Sequence, residues 1–265
     1  MRRACLYLLI FYVMWLAALT FFQEKMIFPH DLAGRPLHDA LIPPEAQRVW
    51  ITTDDGARVE AWYFPTADAT RQAPAVIFFH GNAELIDFNL SLVKRYHDRG
   101  INVLLPEFRG YGRSTGSPSQ KSLVTDAALF LNWLERQPGV DASRLIFHGR
   151  SLGTGIAVQL AALRPPDALI LESPFTSISA LAARFGAPAF LVRHPFRTDR
   201  VLPTLNCKVL ILHSRSDEIV PFEHALKLHR LVPGSAFVEL DGSHNSGLSE
   251  QAEYWEAVNG VLAGL

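Results

Sequence analysis

The sequence predicts a single α/β domain built on a mostly parallel central sheet of about eight strands, with helices on both faces. Three observations lead there. Short β-branched apolar runs alternate with segments of helical period along most of the chain. Apart from Asn102, those runs carry no interleaved polar residues, as strands buried on both faces require. The chain has 265 residues, 49% hydrophobic and 19% charged, which is enough for one large core.

The elements follow in order. Residues 49–53 and 57–64 flank the turn Asp54-Asp55-Gly56 and read as an N-terminal hairpin. Residues 75–79, 101–105, 145–147, 168–171 and 209–212 are expected as buried strands, and 85–99, 121–136 and 152–163 as the helices between them. A helix at 222–231, a strand at 236–240 and a helix at 249–262 close the domain. Residues 173–206 separate two strands by far more than an ordinary connection. They combine helical spacing (Ile178, Leu181, Phe185) with Pro188, Pro195 and Pro203, so they are expected to form a small helical lid inserted in the domain. No internal repeat or low-complexity tract occurs.

The first residues carry a separate signal. From Ala4 to Phe22 every residue is apolar or aromatic except Thr20. At about 1.5 Å per residue that run spans roughly 28 Å, the thickness of a bilayer's hydrocarbon layer. Arg2 and Arg3 precede it, which places the N-terminus in the cytoplasm and the domain on the extracytoplasmic side. The exit, Ala17-Ala18-Leu19-Thr20-Phe21-Phe22, is a poor cleavage site, so a retained single-pass anchor (1–23) is favoured over a cleaved signal peptide or a buried core helix. Residues 24–46 hold four prolines (Pro29, Pro36, Pro43 and Pro44) and are expected as a membrane-exit linker, with Phe28 and Trp50 near the interface. The domain proper is then 47–265, soluble without its anchor. Cys5 and Cys207 are too differently placed for a disulfide. A formal net charge of −1, from 25 basic and 26 acidic side chains, argues against a nucleic-acid partner.

Chemistry concentrates in Gly149-Arg150-Ser151-Leu152-Gly153. A strand ends at this pentapeptide and a helix starts inside it, the arrangement that lifts a serine above a sheet on a strained turn and aims helix N–H groups at the site. Gly112-Arg113-Ser114-Thr115-Gly116 has the same pattern with the wrong flanks. Residues 109–111 separate it from the preceding strand and Pro118 blocks an immediate helix, so Ser114 is read as a loop serine at the pocket rim. Serine is a weak nucleophile until an imidazole takes its proton and a carboxylate fixes the imidazole's tautomer. Asp217 follows the strand at 209–212 and His244 follows the strand at 236–240, both on loops at strand carboxyl ends, where α/β sheets build their sites. The oxyanion hole is expected from the backbone N–H of Leu152 and that of Asn82 in Phe79-His80-Gly81-Asn82-Ala83, with Ala83 as the alternative donor.

These motifs, together with residues 107–114, Glu172-Ser173-Pro174-Phe175-Thr176-Ser177, Ser216-Asp217-Glu218-Ile219-Val220-Pro221 and Gly242-Ser243-His244, resemble the α/β-hydrolase superfamily. The branch resembled groups serine aminopeptidases, lysophospholipases and membrane-anchored α/β-hydrolase-domain proteins, some of them depalmitoylases. The resemblance covers nearly all of residues 50–265 in the right order and implies the α/β-hydrolase fold and a serine-hydrolase reaction. Glu107 and Phe108 stand where relatives often have Asp and Tyr, and Ser214 where Gly is common.

Each site residue has a plainer reading. Ser151 could cap a helix, and His244 could be a surface-loop histidine. Glu172 is the rival acid, and Asp241 a turn former. His80, His148 and His213 sit at strand ends without zinc-ligand spacing and are read as structural, so no metal or cofactor is expected. The lid arginines Arg184, Arg193, Arg197 and Arg200 read as a solvated face in preference to a headgroup-binding one. The leading function is hydrolysis of a carboxylic ester or thioester, on a small-molecule or lipid-like acyl substrate at a membrane surface. An aminopeptidase-type peptidase would need an acidic pocket, for which Glu172 or Glu218 is available. A non-catalytic binding module is weaker, because no member of the triad is missing.

Overall fold

The computed structural model describes residues 2–68 and 70–265; Met1, the first residue of the expected anchor, and Ala69 lie outside the described residues. Among the described residues, eight strands form one sheet: β1 (Gln47–Thr52), β2 (Arg58–Phe64), β3 (Ala73–Phe79), β4 (Asn102–Pro106), β5 (Val140–Arg150), β6 (Ala168–Glu172), β7 (Lys208–Ser214) and β8 (Ala236–Leu240). Their spatial order is β1-β2-β4-β3-β5-β6-β7-β8. β1 pairs antiparallel with β2 and β2 with β4, and the remaining pairs are parallel. The sheet is mostly parallel, as the sequence predicts.

The strands bury both faces because helices cover both. On one side α3 (Gln120–Leu134), α4 (Leu152–Leu163) and α7 (Phe222–Leu231) contribute Phe130, Ile156 and Leu228 to the same core as Ile77 and Phe79. On the other, α2 (Leu90–His97) and α8 (Ala252–Leu262) contribute Tyr96 and Trp255 to the same core as Val76 and Phe78. The alternation of Val76, Ile77, Phe78 and Phe79 between the two cores is the two-residue period of a strand.

Helix boundaries shift where side chains compete for them. The helix expected from residue 85 begins at Leu90, after a 3₁₀ turn at Ile86–Phe88. Asp87 is drawn away by Arg113, whose guanidinium donates to both carboxylate oxygens at 2.9 Å, and by the Leu37 N–H at 2.8 Å. The lid is two short helices, α5 (Ile178–Ala183) and α6 (Thr198–Val201), with 3₁₀ turns at Ala189–Leu191 and Leu202–Thr204.

The N-terminal segment is longer and better packed than the sequence predicts. Helix α1 (Arg2–Ile27) runs past residue 23. Phe28 is 1% exposed inside the main core, its ring 5.3 Å from that of His194 and 6.5 Å from that of Phe196. Ala33 joins the same core, so the packed unit extends back beyond residue 47. Trp50 lies on β1 beneath the Arg58 guanidinium, 4.1 Å from its ring centre. From Arg3 to Ile27 the helix is long and apolar enough to cross a membrane, with mean hydropathy 2.2.

Candidate active site

The chain leaves β3 for β4 on one side, then returns to place β5 on the other side of β3. The carboxyl ends of β3 and β5 therefore face a crevice at which the strand order reverses, the place where open α/β sheets bind ligands. The loop His80–Ala83 and Ser151 occupy those two ends.

Ser151 joins β5 directly to α4 with φ 50° and ψ −115°, a left-handed conformation that a side chain rarely adopts. The surroundings enforce it. The Ser151 N–H donates to the Glu172 carbonyl at 2.9 Å, and the Thr154 N–H returns to the Ser151 carbonyl at 3.0 Å. A Cβ on Gly149 would lie 2.4 Å from the Gly153 carbonyl oxygen, and one on Gly153 only 2.0 Å from the Phe79 carbonyl oxygen. Glycine at both flanks is thus a steric requirement of the turn.

Asp217 and His244 meet Ser151 from the ends of β7 and β8. His244 Nδ1 lies 2.7 Å from Asp217 Oδ2, and His244 Nε2 lies 2.9 Å from Ser151 Oγ. A carboxylate only accepts, so Nδ1 carries the proton and Nε2 is free to accept one from serine. Asp217 is fixed in turn, since its Oδ1 accepts the N–H groups of Ile219 at 3.0 Å and Val220 at 2.7 Å. Burial would raise the Asp217 carboxyl pKa, but the hydrogen bond and charge of His244 outweigh it and hold the group below its ordinary range. Glu218, which the sequence offers as a pocket acid for a peptidase, accepts the His244 backbone N–H at 3.1 Å.

The rival acid Glu172 is elsewhere. It is 2% exposed and accepts from Arg150 Nε at 2.9 Å and from Tyr254 Oη at 2.8 Å. Burial opposes its charge, yet Arg150 prevails and brings its pKa down to about 2. Arg150 also donates to Glu84 at 3.1 Å and Asn89 at 3.3 Å, tying the turn at Ser151 to the loop after β3. His148 bridges Tyr96 and Tyr254, each at 2.9 Å, and burial holds its pKa down, so it is a neutral structural group.

The candidate oxyanion loop is anchored below. His80 is fully buried, stacked on Phe108 at 3.8 Å, with Nε2 2.9 Å from Glu107. Burial disfavours its charge, but Glu107 raises its pKa above the ordinary value. Tyr111 Oη donates to Asn82 Oδ1 at 3.0 Å. Asn82, Ala83 and Leu152 all line the cavity that Ser151 and His244 face. Ser114 does not: its Oγ accepts the Glu60 N–H at 2.9 Å inside the fold, which corrects its placement at the pocket rim.

That cavity is about 850 Å³, mostly apolar, and has an unexpected wall. Phe175, Leu181 and Phe185 enter from the lid, while Leu19, Met26 and Ile27 come from the end of α1. Thr20 and Gln23 also line it. The interrupted apolar run was the available signal. Thr20 and Gln23 are polar where a simple anchor would remain apolar or end in charge. Gln23 is 8% exposed because its Nε2 donates to the Leu191 carbonyl at 3.1 Å and its Oε1 accepts the Arg193 N–H at 2.8 Å.

The family profile described as serine aminopeptidase, S33, matches residues 70–208. The chain belongs to this family, within the α/β-hydrolase superfamily. It is a hydrolase of the α/β fold. An uncharacterized protein of Mycobacterium tuberculosis is 35% identical over 218 residues, a match covering 81% of this chain and 76% of that one. The lysophosphatidylserine lipase ABHD12 of Danio rerio is 31% identical over 239 residues, covering 78% of this chain and 62% of that longer protein. In fold, the Pyrococcus furiosus esterase Pf2001 superposes with a TM-score of 0.68 at 19% identity, over 86% of this chain and 96% of the esterase.

Proposed function

We propose that the protein is a serine hydrolase that cleaves carboxylic esters or thioesters through an acyl-enzyme. The observation that carries this reading is the hydrogen-bonded line Ser151–His244–Asp217 facing an apolar cavity of about 850 Å³. His244 Nε2 takes the Ser151 proton as Oγ attacks the carbonyl carbon. The tetrahedral oxyanion rests on the N–H groups of Leu152 and Asn82, each such donor contributing on the order of 10²–10³ in rate. His244 then protonates the departing alcohol or thiol, and water repeats the sequence to release the acid. Asp217, ionised throughout, keeps the imidazole in the productive tautomer.

The cavity's volume and apolar lining support a lipid-like acyl substrate, in line with the name of the zebrafish relative, a lysophosphatidylserine lipase. Helix α1 is read as a single-pass anchor with Arg3 on the cytoplasmic side and the domain on the other. The peptidase reading has less support. Glu218 and Glu84 line the cavity, but the first is drawn to the His244 N–H and the second to the Arg150 guanidinium, so each already serves the frame of the site. A screen of purified protein against nitrophenyl esters of graded chain length and aminoacyl nitroanilides separates the two. Turnover of esters, rising with chain length, is expected; turnover of the anilides alone would overturn the ester reading.

A further inference from the structure

The lid and α1 are joined by hydrogen bonds that follow one another in order. Arg193 pairs with Glu24 at 3.2 Å, and Gln23 clasps the backbone of Leu191 and Arg193. Further along the helix, Trp15 Nε1 donates to the Phe185 carbonyl and Tyr12 Oη to the Gly186 carbonyl, both at 2.9 Å. At about 1.5 Å per residue, Trp15 lies roughly 12 Å and Tyr12 roughly 16 Å from Gln23 towards the N-terminus. The lid therefore runs alongside the apolar part of α1, with its tip at Phe185–Gly186.

The tip's composition and bonding suit lipid. Between Ala183 and Val192 the only charged residue is Arg184. It lines the cavity, and its guanidinium is turned to the loop after Asp217, where Nη1 donates to the Ile219 carbonyl at 3.4 Å. Phe185 and Phe190 are 57% and 84% exposed. Hydrocarbon cannot satisfy backbone polar groups, so any loop within it must find partners in the protein. The N–H groups of Phe185, Gly186 and Ala187 bond within the lid, and the carbonyls of Phe185 and Gly186 are those taken by Trp15 and Tyr12.

We propose that the lid tip, residues 183–191, is inserted in the lipid leaflet beside the stretch of α1 from Tyr12 to Gln23, so that the Ser151 cavity opens sideways into the bilayer and receives an acyl chain directly from it. This rests on the reading of α1 as a membrane anchor. The occupant of the exposed aromatic tip is the acyl layer of the leaflet itself, continuous with the surface that α1 presents to it.

Environment-sensitive labels on single cysteines test this in the full chain, with Cys5 and Cys207 replaced by serine, reconstituted in phosphatidylcholine–phosphatidylglycerol vesicles. Leu8→Cys reports on α1, Phe190→Cys and Phe185→Cys on the tip, and Leu163→Cys on the far end of α4 from Ser151. Each is labelled with a nitrobenzoxadiazole and challenged with nitroxide-bearing lipid and with aqueous iodide. Blue-shifted emission, quenching by the lipid nitroxide and loss of iodide quenching are expected at positions 8, 185 and 190, with the reverse at 163. Iodide access at 185 or 190 while position 8 stays shielded overturns the inference and leaves the anchor standing. Iodide access at position 8 overturns the anchor, and the inference with it.

Discussion

Gly153 lies so close to β3 that a methyl group on its Cα would stand 2.0 Å from the Phe79 carbonyl oxygen. The same contact sets the start of α4 against the loop that carries Asn82, and with it the distance between the two proposed oxyanion donors. Gly153→Ala must displace backbone, at a cost of about 1–3 kcal/mol or more. The thermal midpoint is expected to fall by several degrees, with loss of fluorophosphonate labelling at Ser151. Gly260→Ala is the control, because a Cβ there meets nothing within 4 Å on the exposed side of α8. It should leave labelling intact and stabilise the helix by up to about 1 kcal/mol.

Glu172 gives stability an acid-dependent component. Its pKa falls from an ordinary 4.5 to about 2 in the folded protein, so between those values the unfolded chain binds the proton and the native one does not. Stability from this group is complete above pH about 4.5 and is lost as pH falls towards about 2. Urea midpoints measured across that window should drop steeply in the wild type and less steeply in Glu172→Gln. At neutral pH the same variant should be less stable by about 1–3 kcal/mol, because Arg150 keeps its charge and loses the more buried of its two carboxylate partners, Glu84 remaining.

The packing of Phe28 sets where the domain can be cut. A chain beginning at Gln47 loses a side chain that is 1% exposed in the core, whereas one beginning at Gln23 keeps it. Phe28→Ala should cost about 3–5 kcal/mol. The Gln47 truncation should show a lower denaturation midpoint than the Gln23 truncation; equal midpoints would mean that Phe28 contributes nothing.

Met26 lines the cavity, and Phe22, on the same helix, is half exposed and outside it. Met26→Trp should cut kcat/KM for dodecanoyl esters by about tenfold or more, within the range a hydrophobic pocket's size discrimination reaches. Acetyl esters should be turned over nearly as before, and Phe22→Trp should leave the profile unchanged.

The central strands were legible because they hold apolar runs such as Ala75–Phe79, Ala168–Leu171 and Val209–Leu212, the first two strands because they flank the turn Asp54-Asp55-Gly56, and α4 and α7 because their limits coincide with the turn at Ser151 and with Pro221. The spacing of Ser151, Asp217 and His244 relative to strand ends was legible too, since each follows a strand whose pattern is unambiguous. Arg150 and Glu172 were not, because an ion pair between neighbouring strands leaves no periodic trace. Nor was the role of α1 in the cavity. Hydropathy reports that residues 4–22 are apolar, and says nothing about which side of the helix meets the lid. The hydrogen bonds of Tyr12, Trp15 and Gln23 to residues some 170 positions away depend on tertiary placement alone.

The nucleophile can be identified in one measurement. Two serines share the Gly-Arg-Ser-x-Gly pattern, yet Ser151 Oγ lies 2.9 Å from His244 Nε2 while Ser114 Oγ is occupied by the Glu60 N–H. Full-length protein treated with a fluorophosphonate and mapped by peptide mass spectrometry should carry one adduct, on Ser151. Ser151→Ala should abolish it and Ser114→Ala should preserve it, with only about 1 kcal/mol lost in stability. An adduct on Ser114, or labelling that survives Ser151→Ala, would contradict the proposed site.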